Sequence, residues 1–469
     1  MVDTVVVGAG SAGCAFAARV GGDVLLLEAG PADWAPELRR ASSLAASRPS
    51  HPQNWAFAAE LRAGSPAVVP RGRGLGGSSA VNGANWMRPT PADGWAWDEL
   101  LPHFVGSETD LDMSGPLHGA HGPIPVGRPS GALLHPAAER FAEAARRLGY
   151  AEEPDKNAGA PPGYGLVPGN VVDGIRVDAA TAYLRDVPGL QIRTGATAAR
   201  IVLDGTRAVG VELVGGGLVE AGEVVLAAGA IGTAHLLLRS GIGPADDLRA
   251  CGIEVRHDLP GVGTGWSDHP AVFLPFADTD PPAHPDATNS QVVLHLDTGA
   301  DPAGDVEVLL FVRPFVPGGE LHLMCALQQP ESRGTISLSP TGLPVIGYHY
   351  LRTESDRRRL RHAIRTAAEL LRAGLGRRTS PDGAVLGNDR TLDGWVAAHL
   401  TTSMHMCGSA ALGRVVDPQL RVLGLAGLRI VDTSVLPQAP RRGTAAAAVA
   451  LGEKAATLVD PAPARRQDG

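Results

Sequence analysis

The sequence predicts an α/β protein in which a Rossmann-like dinucleotide-binding domain is joined to an α+β domain with an antiparallel sheet. Three observations predict it. The chain opens on an apolar run, Val5-Val6-Val7, that passes into Gly8-Ala9-Gly10-Ser11-Ala12-Gly13, and residues 24–28 form a second apolar run ending in an acid, Glu28. At residues 224–226 an apolar strand again runs into small residues, Ala228-Gly229-Ala230-Ile231-Gly232-Thr233, ahead of a helix carrying Leu236-Leu237-Leu238. From residue 292 to 350 the pattern turns to strand-like runs at 306–312, 321–327, 335–338 and 344–350, divided by Pro and Gly. These read as an antiparallel sheet and hence as a second domain.

Each element has its own justification. Gly8 permits a sharp turn, Gly10 lets backbone N–H groups approach a pyrophosphate, and Gly13 lets helix and strand pack closely. The helix beginning near Ser11 offers unpaired donors and a positive dipole end. Glu28, at the tip of the second strand, is placed to accept hydrogen bonds from a ribose, and its charge would repel the extra phosphate of NADP. Residues 31–69 read as loop-rich. The run Arg71-Gly72-Arg73-Gly74-Leu75-Gly76-Gly77-Ser78-Ser79-Ala80-Val81-Asn82-Gly83 then supplies a backbone able to lie against something flat or anionic. A short helix is expected at 94–104 with Asp98 in its first turn, an amphipathic helix at 136–148, and short strands at 191–193, 199–203 and 208–213. After the antiparallel region a helix capped by Ser355 or Asp356 buries Leu360, Ala363, Ile364, Ala367, Leu370 and Leu371. Its other face, Arg357, Arg358, Arg359, Arg361 and Arg365, reads as solvated, with an acidic partner or anionic lipid as the second reading. A small-residue helix at 444–458 follows, and residues 462–469 read as a disordered tail.

Composition narrows the function. A chain of 469 residues holds two or three domains, and a net charge of −8 argues against nucleic acid as a partner. Four scattered cysteines without a C-x-x-C pair suggest neither zinc nor disulfides; no metal site is expected, and a reducing compartment fits. With no basic n-region and no long apolar run, the expected location is cytoplasmic, and peripheral contact with the inner face of the membrane stays open.

With these blocks in view, the sequence resembles the glucose-methanol-choline (GMC) family of FAD-dependent oxidoreductases. Five blocks carry the resemblance: Gly8 to Gly13 with Glu28; Gly74-Leu75-Gly76-Gly77-Ser78-Ser79-Ala80-Val81-Asn82-Gly83; Gly229 to Thr233 through Ser240-Gly241-Ile242-Gly243-Pro244; Asp258-Leu259-Pro260-Gly261-Val262-Gly263 to Asp268-His269-Pro270; and His405 to Gly413 with Val415-Val416-Asp417-Pro418 and Val431-Asp432-Thr433-Ser434-Val435-Leu436-Pro437. The resemblance implies the GMC fold, with FAD-binding segments 1–104, 171–270 and 399–461 and substrate-domain segments 105–170 and 271–398. It implies that Gly8, Gly10, Gly13 and Glu28 hold the ADP half of FAD. Gly76, Gly77, Ser78 and Asn82 would pass near the pyrophosphate and isoalloxazine, and Asp432 and Thr433 near the ribityl chain. Ser11, Ala12, Ala29, Gly83, Ala198 and Thr444 complete the cofactor-binding set. In members that tether the flavin through histidine, that histidine falls at Val81, which cannot form the bond, so FAD is expected to be non-covalent.

His405 occupies the family's catalytic position, as the base that removes the hydroxyl proton while the carbinol carbon delivers hydride to flavin N5. His399 reads as structural, and Cys407 as a small residue of the flavin wall. The family's second His or Asn falls at Ala445: either His405 works alone, or Arg441, Arg442 or Asn85 supplies a polar contact. A cationic pair at Arg441 and Arg442 would favour an anionic or polyhydroxylated substrate; the other reading is two exposed arginines. Ala234 replaces a common proline, which implies only a local backbone change.

The implied function is a dehydrogenase that oxidises the CH–OH group of a small-molecule alcohol and uses a separate electron acceptor. The compact chain and its Ala- and Arg-rich composition resemble the mycofactocin-associated GMC dehydrogenases, which implies re-oxidation of reduced mycofactocin with electrons passed to the respiratory chain. The alternatives are an oxygen-using oxidase releasing peroxide, a cyanohydrin-type lyase holding a structural flavin, and a non-catalytic flavin-binding partner.

Overall fold

In the first sheet the strand Val2–Val7 lies parallel to Val24–Leu27 on one side and Leu218–Leu226 on the other. Leu190–Arg193 and Leu428–Ile430 extend the parallel part, and Ala198–Asp204 with Arg207–Leu213 add an antiparallel edge. The register aligns Val7 with Leu27 and Leu226, and Leu226 with Ile430, so Gly8, Glu28, Ala227 and Val431 all leave the sheet along one carboxyl edge. Open α/β sheets bind ligands at that edge. This computed structural model describes residues 1–43, 45, 48–93, 97–316 and 318–459. The first residues of the helix expected at 94–104, the side chain of Asp98 and the expected tail fall outside that description.

The glycine-loop helix Ser11–Arg19 packs on the C-terminal helix Ala445–Thr457 through small residues. A Cβ at Gly452 would stand 2.4 Å from the carbonyl oxygen of Ala12 and 3.0 Å from Ala15 Cβ. Close packing here ties the dinucleotide loop to the segment that follows Arg442.

The second sheet runs in the order Arg377–Arg378, Pro270–Ala277, Leu321–Leu327, Val306–Phe311, Ser290–Leu296, Tyr164–Leu166, with antiparallel neighbours. Period-two alternation gives it two unlike faces. Val272, Leu274, Phe276, Leu323 and Cys325 are buried, and the Cys325 thiol contacts the Ala363 carbonyl of the helix Glu354–Leu370. The opposite face carries Ala271, Phe273, Met324, Ala326, Leu309 and Phe311, with Met87 and Val167 packed on it.

Several expectations change. Residues 57–69 form a hairpin, Phe57–Arg62 with Ser65–Val69, rather than a loop; its inward side, Phe57, Ala59, Leu61, Ser65, Ala67 and Val69, alternates with an exposed side that also holds Ala58, Pro66 and Val68, which blurs the periodicity. That hairpin joins Thr264–Trp266, Gly334–Leu338 and Pro344–Gly347 in a third sheet, so the last two expected strands do not belong to the sheet of 306–327. Thr353 caps the helix Glu354–Leu370, its Oγ1 accepting from Asp356 N–H at 3.1 Å, in place of Ser355 or Asp356. The arginine face is not simply solvated: Arg361 is buried, donating to Asp393 at 2.8 Å and Glu354 at 2.5 Å, and buried Arg359 donates to Asp356 at 2.8 Å. Among the described residues no helix is long and apolar enough to cross a membrane.

Replacing Gly452 by Val forces the two small-residue helices apart. The expected outcome is a loss of about 1–3 kcal/mol of stability together with weakened FAD retention, read by thermal unfolding and flavin absorbance after gel filtration.

Candidate active site

At the carboxyl edge of the first sheet the glycine loop serves two purposes. A Cβ at Gly13 would stand 2.1 Å from the Gly8 carbonyl oxygen, and one at Gly8, where φ is +105°, would stand 2.5 Å from that of Ala227, so these two glycines are demanded by the protein's own packing. A Cβ at Gly10 would meet nothing closer than 3.9 Å; here the missing side chain keeps space clear. Gly10 also caps the helix Ser11–Arg19 without a side-chain hydrogen bond, which leaves donors of the first turn, Ser11, Ala12 and Gly13, available to an anion.

The second glycine run closes on the first. A Cβ at Gly77 would stand 2.9 Å from Gly10 Cα, and Gly76 N–H donates to Ala9 at 2.7 Å. Ser78 is exposed, its Oγ accepting from Gly72 N–H at 3.2 Å; Asn82 Oδ1 accepts from Ala84 N–H at 2.9 Å, and Gly83 is exposed beside it. Glu28 is buried and accepts from Gly30 N–H at 2.8 Å and Ala9 N–H at 3.1 Å; burial pushes its pKa up while those donors hold it down. The Ala29 carbonyl accepts from Arg73 at 3.4 Å, and Ala196 N–H donates to Glu28 at 2.9 Å, which brings the strand beginning at Ala198 toward the same corner.

Asp432 gives its carboxylate to the protein: Oδ2 accepts from Gly229 N–H at 2.9 Å and Thr233 Oγ1 at 2.5 Å, and Oδ1 from Ser434 N–H at 2.8 Å. Thr433 Oγ1 donates to the Met406 carbonyl at 3.1 Å. Thr444 precedes the C-terminal helix without a side-chain cap, leaving a second bare helix start. Cleared space over Gly10, uncapped donors at two helices and a buried carboxylate at the second strand's tip fit FAD, with the two glycine runs, Glu28 and the Thr444 turn as the residues that would hold it. Val81 offers no atom for a covalent link.

His405 follows the short strand Thr401–Thr402, which pairs with the start of Pro270–Ala277. Asp268 draws these segments together. Its Oδ1 accepts from the backbone N–H groups of His269 at 2.6 Å and His405 at 2.8 Å, and its Oδ2 from Thr402 Oγ1 at 3.0 Å. Burial pushes the Asp268 carboxyl up to about 6, against the Arg71 cation and those donors. The His405 ring meets His269 edge to face, with Nδ1 to Nδ1 3.0 Å. Its Nε2 makes no hydrogen bond to any described residue. A Cβ at Gly443 would stand 3.4 Å from that Nε2, and φ at Gly443 is +98°, so glycine suits the position twice over. Met404 at +64° and Arg442 at +68° are non-glycine residues in the left-handed region on either side of this contact, each costing about 1–3 kcal/mol. Burial, with Arg71 nearby, lowers the His405 pKa to about 4, so the imidazole is neutral.

His269 is the residue that sequence reasoning passed over. It stands in Asp268-His269-Pro270, and a titratable ring next to an acid inside a recognised block was the available signal. Arg441 and Arg442 are neither exposed nor turned to His405: both are buried, Arg441 paired with Asp93 at 2.8 Å and with Asp301, and Arg442 with Glu153 at 2.5 Å. Asn85 accepts from Ser290 Oγ at 2.8 Å instead. Ala445 is the first residue of the C-terminal helix. His399 is exposed and stacks on Trp395. Cys407 is buried and its thiol is pushed well up, which removes it as a nucleophile. Two acidic and histidine groupings elsewhere, Glu108–Asp110–His118 and His135–Asp278–Asp280, have Arg88, Arg128 and Arg140 bound to their carboxylates.

Away from His405 the same sheet face becomes aromatic. Ala271 and Phe273 share one side of the strand that His269 immediately precedes, and Phe273 meets Phe311 at 5.5 Å and Phe315 at 4.9 Å between ring centres. Phe315 stacks on His322 at 4.3 Å and, with Val316, is exposed at the rim.

The family model for GMC oxidoreductases matches residues 2–271 with its N-terminal part and 330–452 with its C-terminal part. An uncharacterized GMC-type oxidoreductase from Rhodococcus erythropolis, in the thcA 5′ region, is 38% identical over 97% of this chain and 98% of its own. The oxygen-dependent choline dehydrogenase of Photobacterium profundum is 30% identical over 97% of this chain and 92% of its own. Among solved structures, pyridoxine 4-oxidase from Mesorbium loti is 30% identical with a TM-score of 0.90, covering 97% of this chain and 99% of that one.

Gly443→Ala tests the imidazole's seat. The added methyl displaces the ring, and flavin reduction by an alcohol slows about tenfold to a hundredfold in stopped flow while FAD stays bound.

Proposed function

The chain belongs to the GMC oxidoreductases, FAD-dependent enzymes that act on CH–OH groups, and from that premise we propose that His405 is the base of an alcohol dehydrogenation. The observation that carries the reading is one imidazole nitrogen, His405 Nε2, free of hydrogen bonds beside Gly443, while the ring's other nitrogen is held by His269. When bound, FAD supplies the acceptor for the hydride that leaves the carbinol carbon. His405 takes the hydroxyl proton on Nε2, so the alcohol becomes a carbonyl compound by losing one proton to the protein and one hydride to the cofactor. The uncapped start of the C-terminal helix adds a positive dipole end next to Gly443, suited to negative charge developing as the proton leaves. FAD is dissociable, since Val81 cannot tether it.

For the substrate, the wall of Phe273, Phe311 and Phe315 favours an alcohol with an apolar or aryl body. The ion pairing of Arg441 and Arg442 removes the argument for an anionic or polyhydroxylated group. The electron acceptor is separate from oxygen, and the physiological setting we favour is re-oxidation of reduced mycofactocin with electrons passed to the respiratory chain; exposed Phe315 and Val316 at the rim support a large substrate.

The test is anaerobic. Aryl and alkyl alcohols, polyols, choline and reduced mycofactocin are added in turn and the oxidised-flavin absorbance is followed; bleaching by apolar alcohols or mycofactocin, slow to reverse in air, is expected. Fast recovery in air makes the protein an oxidase, and a flavin that nothing bleaches ends the redox reading. His405→Ala lowers the reduction rate by at least roughly a hundredfold with FAD retained; wild-type reduction in that variant removes His405 as the base. Because the base must be neutral and its pKa lies at about 4, the rate is flat at neutral pH and falls only as the pH drops toward that value, measured as the reduction rate constant against pH.

A further inference from the structure

We propose that His269 is the positioning residue that fixes the tautomer of His405, accepting its Nδ1–H so that the lone pair stands on Nε2. The inference rests on the reading of His405 as base. Two imidazole nitrogens 3.0 Å apart share one proton, since two bare lone pairs repel and two N–H groups collide. Two assignments satisfy that contact, and they have opposite consequences.

If His269 donates, its own Nε2 carries a lone pair and His405 Nε2 carries the proton. His405 then faces the site with an N–H and cannot receive a hydroxyl proton. If His405 donates, His269 Nε2 carries the proton and His405 Nε2 is a bare acceptor. The surroundings of His269 choose between them. Its ring is completely buried, and the backbone carbonyls of Gln328 and Ala439 face it and favour its protonated nitrogen. With Nδ1 committed to His405, the N–H they meet is that of Nε2, although neither closes to a full hydrogen bond. The opposite tautomer would set a buried lone pair against carbonyl oxygens with no donor to relieve it. His269 is itself held: Asp268 accepts from its backbone N–H and from that of His405, so one carboxylate sets both rings in register. A base oriented by a third group is a recurring arrangement, and loss of the orienting acceptor costs activity through the wrong tautomer.

The first measurement needs no substrate. Nitrogen NMR of the FAD-loaded full chain with isotope-labelled histidine, the His405 signal identified by its loss in His405→Ala, is expected to show a protonated Nδ1 and a bare Nε2. A protonated Nε2 overturns the proposal whatever His405 does in catalysis. The second compares two variants. His269→Phe removes the acceptor and is expected to slow flavin reduction about tenfold or more with little change in half-saturating alcohol, while His269→Asn places an amide oxygen where Nδ1 stood and recovers most of the loss. Equal slowing in both variants, each retaining FAD, or a wild-type rate in His269→Phe, overturns it. If His269→Phe does not fold, the NMR tautomer and the rate of His269→Asn against wild type decide. Failure of the base reading is separate, since it shows as wild-type reduction in His405→Ala.

Discussion

The active site hangs on one buried carboxylate. Asp268 accepts two backbone N–H groups and one hydroxyl, drawn from the end of one segment, the start of the second sheet and the turn that carries His405. An acid this deep is costly unless its lone pairs are filled, and hydrogen bonds to a charged acceptor contribute roughly 1.5–3 kcal/mol each. Here the donors belong to the pieces that need aligning, so satisfying the acid and assembling the site are one event. Tyr350, just past the third sheet's strand Pro344–Gly347, reaches the same cluster through Thr402, its hydroxyl donating at 3.0 Å. The second sheet and the segment that continues the third thus meet at a single carboxyl group.

Strain gathers around it. Met404 and Arg442 hold left-handed backbone on either side of His405, and Gly443 holds φ +98° against the ring. Such geometry persists where neighbours over-determine it. Arg442 is anchored by Glu153 and by Gln328, whose side-chain oxygen accepts from its backbone N–H at 2.9 Å, and Met404 by Thr402 Oγ1 at 2.9 Å. Arg442's anchors lie far off in the chain, and Thr402, though close to Met404, is itself held by Asp268, 134 positions away. The imidazole's position is therefore a property of the assembled domains and not of the loop that carries it.

That explains which parts were legible in the sequence. The dinucleotide loop was readable because its signals are local: Gly8, Gly10 and Gly13 act on each other and on the next strand, and Glu28 closes the same unit. The family resemblance extended that reading to FAD and to His405. What stayed hidden depended on partners met only after folding. Arg361 looked solvated because Asp393, which it meets, is thirty-two positions away, and Arg359 because the Gln329 carbonyl it donates to lies thirty positions earlier. Arg441 and Arg442 looked exposed because Asp93 and Glu153 lie hundreds of positions earlier. His269 was in plain view inside a recognised block, yet nothing in spacing shows that two rings 136 positions apart will share a proton. The hairpin of 57–69 escaped because its exposed side also carries the apolar Ala58, Pro66 and Val68, and the strands after residue 334 were credited to the wrong sheet because antiparallel runs do not announce their neighbours.

The graded face of the second sheet bears on how such proteins diverge. His269 just precedes, and Ala271 stands near the start of, a strand whose Phe273 belongs to the aromatic end, and the rim residues Phe315 and Val316 lie in a connecting segment that shares no hydrogen bond with Asp268 or His405. Changes at the rim leave the buried carboxylate and the paired rings untouched. Selection can therefore rewrite which molecules are admitted without reopening the question of how they react, and lineages built on this plan are free to drift in diet while keeping one chemistry.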